Sequence, residues 1–209
     1  KINLYKGGKT KVSGVENIIK LSSNENPFGP TKKINPNINI ETLNRYPEIS
    51  GETLRIHIAK FHNIETEQIV LGCGSDETLL FAALSFCQYG DEIIHSENGF
   101  EMYPIIAKVV GAVSKCAKEI NYKLTVSSIC DQITPATKLI YIANPNNPTG
   151  SYLTRIEIRE LMSKIPKNVI VVIDGAYAEY VEADDYDSGF SLVNSYKNII
   201  ITRTFSKAY

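Results

Sequence analysis

The sequence predicts an α/β protein built on a mainly parallel sheet with helices on both faces. From about residue 51 onward, short apolar β-branched runs alternate with amphipathic stretches, the order expected of repeated strand–helix–strand units. Several runs, most clearly Val-Ile-Val-Val-Ile at 169–173, are apolar throughout, as strands covered on both sides are. The 209 residues are 43% hydrophobic and 22% charged, enough for a large core. That balance excludes global disorder, collagen-like structure and coiled coil.

Residues 1–50 read as an irregular arm, because Asn, Pro and Gly crowd around Asn24-Glu25-Asn26-Pro27-Phe28-Gly29-Pro30 and break helix and strand alike. Such an arm needs another surface to order it. Residues 51–209 read as one domain. The pattern predicts a helix over 51–62 and a short strand over 69–71. A helix follows over 75–86, with Leu79, Leu80, Ala83 and Phe86 on one face. A strand over 92–95 follows the Gly90-Asp91 turn, then a helix over 103–110 and a strand over 112–116. A short helix is expected over 123–130 and a strand over 138–143. The helix over 154–164 has Thr154 placed as its cap and Glu157 at the capping-box position. Strands over 169–173 and 198–202 complete the pattern.

Lys plus Arg number 22 and Asp plus Glu 23, a net charge of −1. No basic excess exists to release counterions from nucleic acid, and no apolar run approaches a membrane span. Asp184, Asp185 and Asp187 make a short acidic loop that reads as solvated, without nearby His or Cys to support a metal. Cys73, Cys87, Cys116 and Cys130 form no metal spacing and read as free thiols of a cytoplasmic protein. The chain opens with Lys1, not Met, so its start reads as trimmed, processed or missing, and no signal peptide is visible. His57, His62 and His95 read as packed or solvated.

In parallel sheets ligands sit beyond the carboxyl ends of the strands, and four constellations follow predicted strands. Leu71-Gly72-Cys73-Gly74-Ser75-Asp76-Glu77 runs into a helix start. Its glycines permit close approach, and the amides of Ser75, Asp76 and Glu77 suit a phosphate. Alone, it fits an ordinary strand-to-helix turn with acidic first-turn residues better than a phosphate site. Asn144-Pro145-Asn146-Asn147-Pro148-Thr149-Gly150 is a rigid loop in which the Asn147 amide can donate to a ligand oxygen. Asp174 ends an apolar strand, where a carboxylate is costly without a cation or donor. A protonated heterocyclic nitrogen is such a partner, and Tyr177 lies three residues on. Thr202-Arg203-Thr204-Phe205-Ser206-Lys207 follows the last strand. Lys207 there suits an amine nucleophile that forms a Schiff base, and Thr204 and Ser206 are hydroxyls for a phosphate. Together they match pyridoxal 5'-phosphate group by group.

On these residues, with Leu21 to Pro30, Arg45-Tyr46-Pro47 and Arg203 to Tyr209, the chain resembles the fold-type I pyridoxal-phosphate aminotransferases, and within them the histidinol-phosphate subfamily. The resemblance implies the three-layer large domain of that family. It implies that Lys207 is the Schiff-base lysine and moves the proton between the substrate Cα and the cofactor C4′. Asp174 then pairs with the pyridine nitrogen, and Asn147 and Tyr177 bond the ring 3-oxygen. Gly74, Ser75, Asp76 (by backbone), Ser206 and Thr204 surround the phosphate, and Phe100 stacks on the ring. Tyr46 reaches the cofactor phosphate of a neighbouring subunit, which makes the active form a homodimer. Tyr5 and Asn24, with Asn147, help bind substrate. The substrates implied are an amino acid and a 2-oxo acid: L-histidinol phosphate and 2-oxoglutarate, giving imidazole-acetol phosphate and L-glutamate in histidine biosynthesis.

The chain departs from the family at three places. Gly175 stands where the family usually has Glu, Glu97-Asn98-Gly99-Phe100 replaces a Pro-Thr-aromatic pattern, and Tyr5-Lys6-Gly7-Gly8 replaces Tyr-x-Pro-Gly. The family also continues well past the lysine into a small C-terminal domain, so a longer native protein is expected, with the large domain incomplete here. Rival readings are a threonine-phosphate decarboxylase or an aromatic amino acid aminotransferase on the same scaffold, a catalytically silent fragment, and a nucleotide-binding α/β domain.

Overall fold

The computed structural model describes residues 13, 14, 16, 19–21, 23–31, 41 and 44–209. After helix α1 (Glu52–His62) and α2 (Ser75–Phe86), strand β1 (Glu92–Ser96) leads into α3 (Met102–Val109) and β2 (Val113–Ala117). A small hairpin, β3 (Glu119–Ile120) and β4 (Lys123–Leu124), precedes α4 (Val126–Cys130). Then come β5 (Thr137–Ala143), α5 (Arg155–Lys164), β6 (Ile170–Asp174) and β7 (Ile199–Thr202). The main sheet has order β2-β1-β5-β6-β7, and every neighbouring pair in it is parallel.

Alternate side chains of these strands feed two separate cores. Ile94, Ile140, Ile142, Val171 and Ile173 pack with Ile158, Leu161 and Met162 of α5 and Val126 and Ile129 of α4. Ile93, Leu139, Tyr141 and Val172 pack with Leu79 and Ala83 of α2 and Tyr103, Ile106 and Ala107 of α3. The result is three layers, which is why these strands are apolar on both faces. Burying one Ile or Leu in full contributes about 1.5–3 kcal/mol, against about 1 kcal/mol for a helix cap. The sheet faces therefore carry most of the stability. Because all strands of the main sheet run one way, Ser96, Ala143, Asp174 and Thr202 end it on one rim.

Two expectations change. Residues 69–71 are not a strand: Ile69 is extended, but Val70 is 70% exposed and no strand pairs with the segment. Its β-branched residues signal extended backbone, and a ladder also needs a partner. Residues 123–130 are not one helix. Asn121 and Tyr122 both have positive φ (51° and 61°), as a tight two-residue hairpin requires, and they turn β3 into β4. Helix α4 starts only after Thr125, whose hydroxyl accepts from the Ser128 amide. The acidic run is engaged locally rather than merely solvated: Tyr152 donates to Asp185 and Ser191 to Asp187.

The capping box of α5 is formed as expected. Thr154 Oγ1 accepts from the Glu157 amide at 3.2 Å, and Glu157 Oε2 accepts from the Thr154 amide at 2.7 Å. Thr154→Ala should lower unfolding free energy in urea by about 0.5–2 kcal/mol; an unchanged midpoint and slope would contradict this role for the cap.

Candidate active site

Asp174 is the last residue of β6, flanked by β5 and β7, and is 4% exposed. Tyr103 Oη donates to Oδ2 at 2.9 Å, while Thr202 Oγ1 and the Ala176 amide donate to Oδ1 at 3.1 and 3.2 Å. Burial pushes the carboxyl above the ordinary aspartate range, and these three donors offset that only in part. The Tyr103 hydroxyl is itself held well above its usual range, by burial and then by the Asp174 charge, so it remains a donor. Tyr103 stacks on Tyr141 (centroids 4.9 Å apart, planes 9° apart) and takes the Phe100 ring edge-on at 5.8 Å. Tyr141 in turn donates to the Leu79 carbonyl at 2.7 Å. The aromatic column thereby ties α2, α3 and β5 to one carboxylate.

The start of α2 lies beside the loop after β7. Gly74 (φ 80°) occupies the cap position and offers no side-chain bond, so no described residue accepts from the first amides, those of Ser75, Asp76 and Glu77. A Cβ on Gly74 would come within 3.9 Å of Thr204 Oγ1, and Thr204 and Ser206 bond each other through their hydroxyls at 2.8 Å. The Cys73 amide is already engaged, donating to Glu77 Oε2 at 2.6 Å. Uncapped amides at the positive end of a twelve-residue helix, next to two hydroxyls, suit an anion. Partial burial pushes the Asp76 carboxyl up from its ordinary value, while the nearby Lys207 charge pulls it down.

Lys207 has φ 71°, and its Nζ lies 5.9 Å from the centre of the Tyr177 ring. Asn24 Nδ2 donates to Tyr177 Oη at 2.8 Å, and Asn26 Nδ2 to the Ala208 carbonyl at 3.1 Å, so the arm is ordered against the site at these two residues. A cavity of about 520 Å³ is lined by Asn24, Asn146, Asn147, Tyr152, Tyr177 and Tyr180, among others. The Asn147 side chain makes no hydrogen bond to a described residue.

The fold thus brings together Gly74, Ser75, Asp76, Thr204, Ser206 and Lys207 on one side. It sets Asn24, Asn147 and Tyr177 around a cavity, while Asp174 ends β6 three residues before Tyr177 and Phe100 packs on Tyr103. Tyr46 is not brought to this group; it stands fully exposed. Tyr5 lies outside the described residues. His95 is buried, with Nδ1 at 2.9 Å from the Ser96 carbonyl and Nε2 at 2.7 Å from Ser114 Oγ. His62 stacks on Phe190 with ring centres 3.8 Å apart. The His95 ring lies 6.3 Å from that of Tyr103, and the four cysteines are free. Among the described residues no helix is long and apolar enough to cross a membrane, and no cluster of His, Cys, Asp or Glu is placed to hold a metal.

A family model described as aminotransferase class I and II matches residues 16–209. The chain belongs to the class I and II aminotransferases. This aminotransferase chain is 43% identical over its whole length to a histidinol-phosphate aminotransferase of Ruegeria pomeroyi, and 40% identical to one of Pelagibacter ubique. It spans 58% and 59% of the lengths of those relatives. In fold it is similar to the crystal structure of histidinol-phosphate aminotransferase from Sinorhizobium meliloti in complex with pyridoxal-5'-phosphate. The TM-score is 0.79 at 23% identity, covering 90% of this chain and 52% of that one.

Sequence reasoning missed two residues of the candidate site, Tyr103 and Thr202. Thr202 had a usable signal: it is polar at the end of an apolar strand, and it stands in register with Asp174. Tyr103, on a helix 71 residues before Asp174, carried none beyond the rule that a buried carboxylate needs donors. Tyr103→Phe should cost about 1.5–3 kcal/mol of stability, read by urea unfolding; a neutral substitution would remove Tyr103 from this role. The raised Asp174 pKa also fixes a pH sign. The folded state keeps a proton that the unfolded state gives up above pH ~4, so the wild type loses stability relative to Asp174→Asn as pH rises through that range. Melting temperatures of both proteins from pH 4 to 8 should diverge in the variant's favour; parallel curves would contradict the assignment.

Proposed function

We propose that the protein containing this chain is a pyridoxal 5'-phosphate-dependent aminotransferase. It passes the amino group of L-histidinol phosphate to 2-oxoglutarate, giving imidazole-acetol phosphate and L-glutamate in histidine biosynthesis. The observation that carries the reading is Asp174: a buried carboxylate at a strand end, with three donors and no bonded cation among the described residues. Identity of 43% along the whole chain to a relative named for this reaction supports the substrate choice.

The residues present fit the cofactor. Bound there, it supplies an aldehyde for an amine to condense with and a ring that takes up a carbanion's electron pair. Asp174 would gain a cationic partner in the ring nitrogen, which relieves the cost of its burial. The Asn147 amide and the Tyr177 hydroxyl would donate to the ring oxygen. The amides of Ser75 and Asp76, Gly74 and the hydroxyls of Thr204 and Ser206 would hold the phosphate. Phe100 would cover the ring, and Asn24 and Tyr5 would close the substrate side. Lys207 Nζ would be the amine that anchors the cofactor through its aldehyde and, once displaced by the substrate's amine, the base that carries a proton. Residues 51–209 would form the cofactor-binding domain, and residues 1–50 the arm. The exposed Tyr46 suits contact with a second subunit, so the working form would be a homodimer, and its biosynthetic role would place it in the cytoplasm.

The intact native protein should form glutamate from L-histidinol phosphate and 2-oxoglutarate, and Lys207→Ala should lose at least ~10²-fold in rate. A preference for tyrosine or phenylalanine as donor, or release of carbon dioxide from threonine phosphate, would reassign the substrate. Absence of all three activities in folded, cofactor-supplemented protein would overturn the reading.

A further inference from the structure

One carboxylate joins the two loops that carry the site. Glu179 lies two residues after Tyr177, in the short 3-10 turn Ala178–Tyr180. Its Oε1 accepts from Arg203 Nη2 and, at 3.1 Å, from Tyr209 Oη. These donors stand four residues before and two residues after Lys207. The Arg203 and Glu179 side chains are 25% and 22% exposed, so water screens the pair less than an open surface pair. Arg203 is further confined: its guanidinium lies 5.8 Å from the centre of the Phe190 ring, and His62 also stacks on that ring.

Lys207 is where such a hold matters. It sits at φ 71°, a positive value that residues with a Cβ rarely adopt. The Ala208 amide donates to the Ser206 carbonyl at 3.0 Å, closing a strained three-residue turn on the lysine. A conformation of this kind persists only where its surroundings over-determine it. Gly175 belongs to the same arrangement. A Cβ there would stand 3.0 Å from Arg203 Cδ and 3.2 Å from the Thr202 carbonyl, so its absence lets the arginine stem cross the end of β6 and reach Glu179. At this position the chain departs from the pattern of the family it resembles.

We propose that Glu179 is a positioning residue: by holding Arg203 and Tyr209 through one oxygen, it fixes both flanks of the 203–209 loop against the segment bearing Asp174 and Tyr177, and so keeps Lys207 in its left-handed turn. The effect on loop order stands on these contacts alone; the effect on Lys207 chemistry rests on the function proposed above.

The test uses the intact native protein as wild type, Glu179→Ala and Glu179→Gln, the glutamine keeping an acceptor oxygen. Without cofactor, amide hydrogen exchange over 203–209 should be about tenfold faster in Glu179→Ala. It should return toward wild type in Glu179→Gln, with β6 and α2 unchanged in both. With pyridoxal 5'-phosphate added, the rate of borohydride-trapped attachment at Lys207 should fall about tenfold in Glu179→Ala and recover in Glu179→Gln. Unchanged exchange over 203–209, or exchange rising equally throughout the domain, would overturn the clamp. Faster loop exchange with an undiminished attachment rate would overturn its hold on the lysine. If wild type itself takes up no cofactor, the proposed function fails, and the exchange measurement still decides the clamp.

Discussion

The cost of burying one negative charge organises this structure. Asp174 is carried to the end of a strand whose other residues are apolar, and it is almost closed to water. A buried carboxylate without partners would take up a proton or oppose folding. Here three donors reach it from three elements: the hydroxyl of Tyr103 on α3, the hydroxyl of Thr202 on β7 and the Ala176 amide. They satisfy its lone pairs without neutralising it, so its pKa stays above the ordinary range. A group in that condition is incomplete in electrostatic terms, and a cation placed beside it is stabilised on arrival. This is the strongest reason to read the rim of the sheet as a site rather than as a set of turns.

The parallel sheet makes the arrangement possible. Strands running one way bring the loops after β5, β6 and β7 to a common rim, and the two apolar cores on its faces hold that rim rigid. On it the polar groups divide by task. The start of α2 and the Thr204–Ser206 pair offer donors for an anion. Asn147 and Tyr177 border the cavity, and Lys207 Nζ stands 5.9 Å from the centre of the Tyr177 ring. The arm residues Asn24 and Asn26 bond to Tyr177 and to the residue after Lys207. Irregular as it is, the described part of the arm is thus tied to the site by specific bonds.

Much of the fold was legible because its signals are local. The all-apolar 169–173 run marked β6, and Thr154 with Glu157 marked the start of α5 to the residue. The failures were matters of context. At 69–71, side-chain propensity was read as a strand where no ladder partner stands alongside. At 121–122, two positive φ angles make a hairpin through a tyrosine, a residue that seldom signals such a turn. For the site, residue types beyond strand ends marked Asp174, Asn147 and Lys207. What holds them, Tyr103 from a helix far back in the chain and Arg203 paired with Glu179, depends on three-dimensional proximity that spacing does not encode.

If Asp174, the uncapped helix and Lys207 form one cofactor site, covalent trapping will show it. The intact native protein is incubated with pyridoxal 5'-phosphate, reduced with borohydride, weighed and mapped by peptide. A single pyridoxyl phosphate adduct is expected, on the peptide containing Lys207, and little or none in Asp174→Ala. No adduct on folded wild-type protein, or one placed on other surface lysines and indifferent to Asp174, would contradict it.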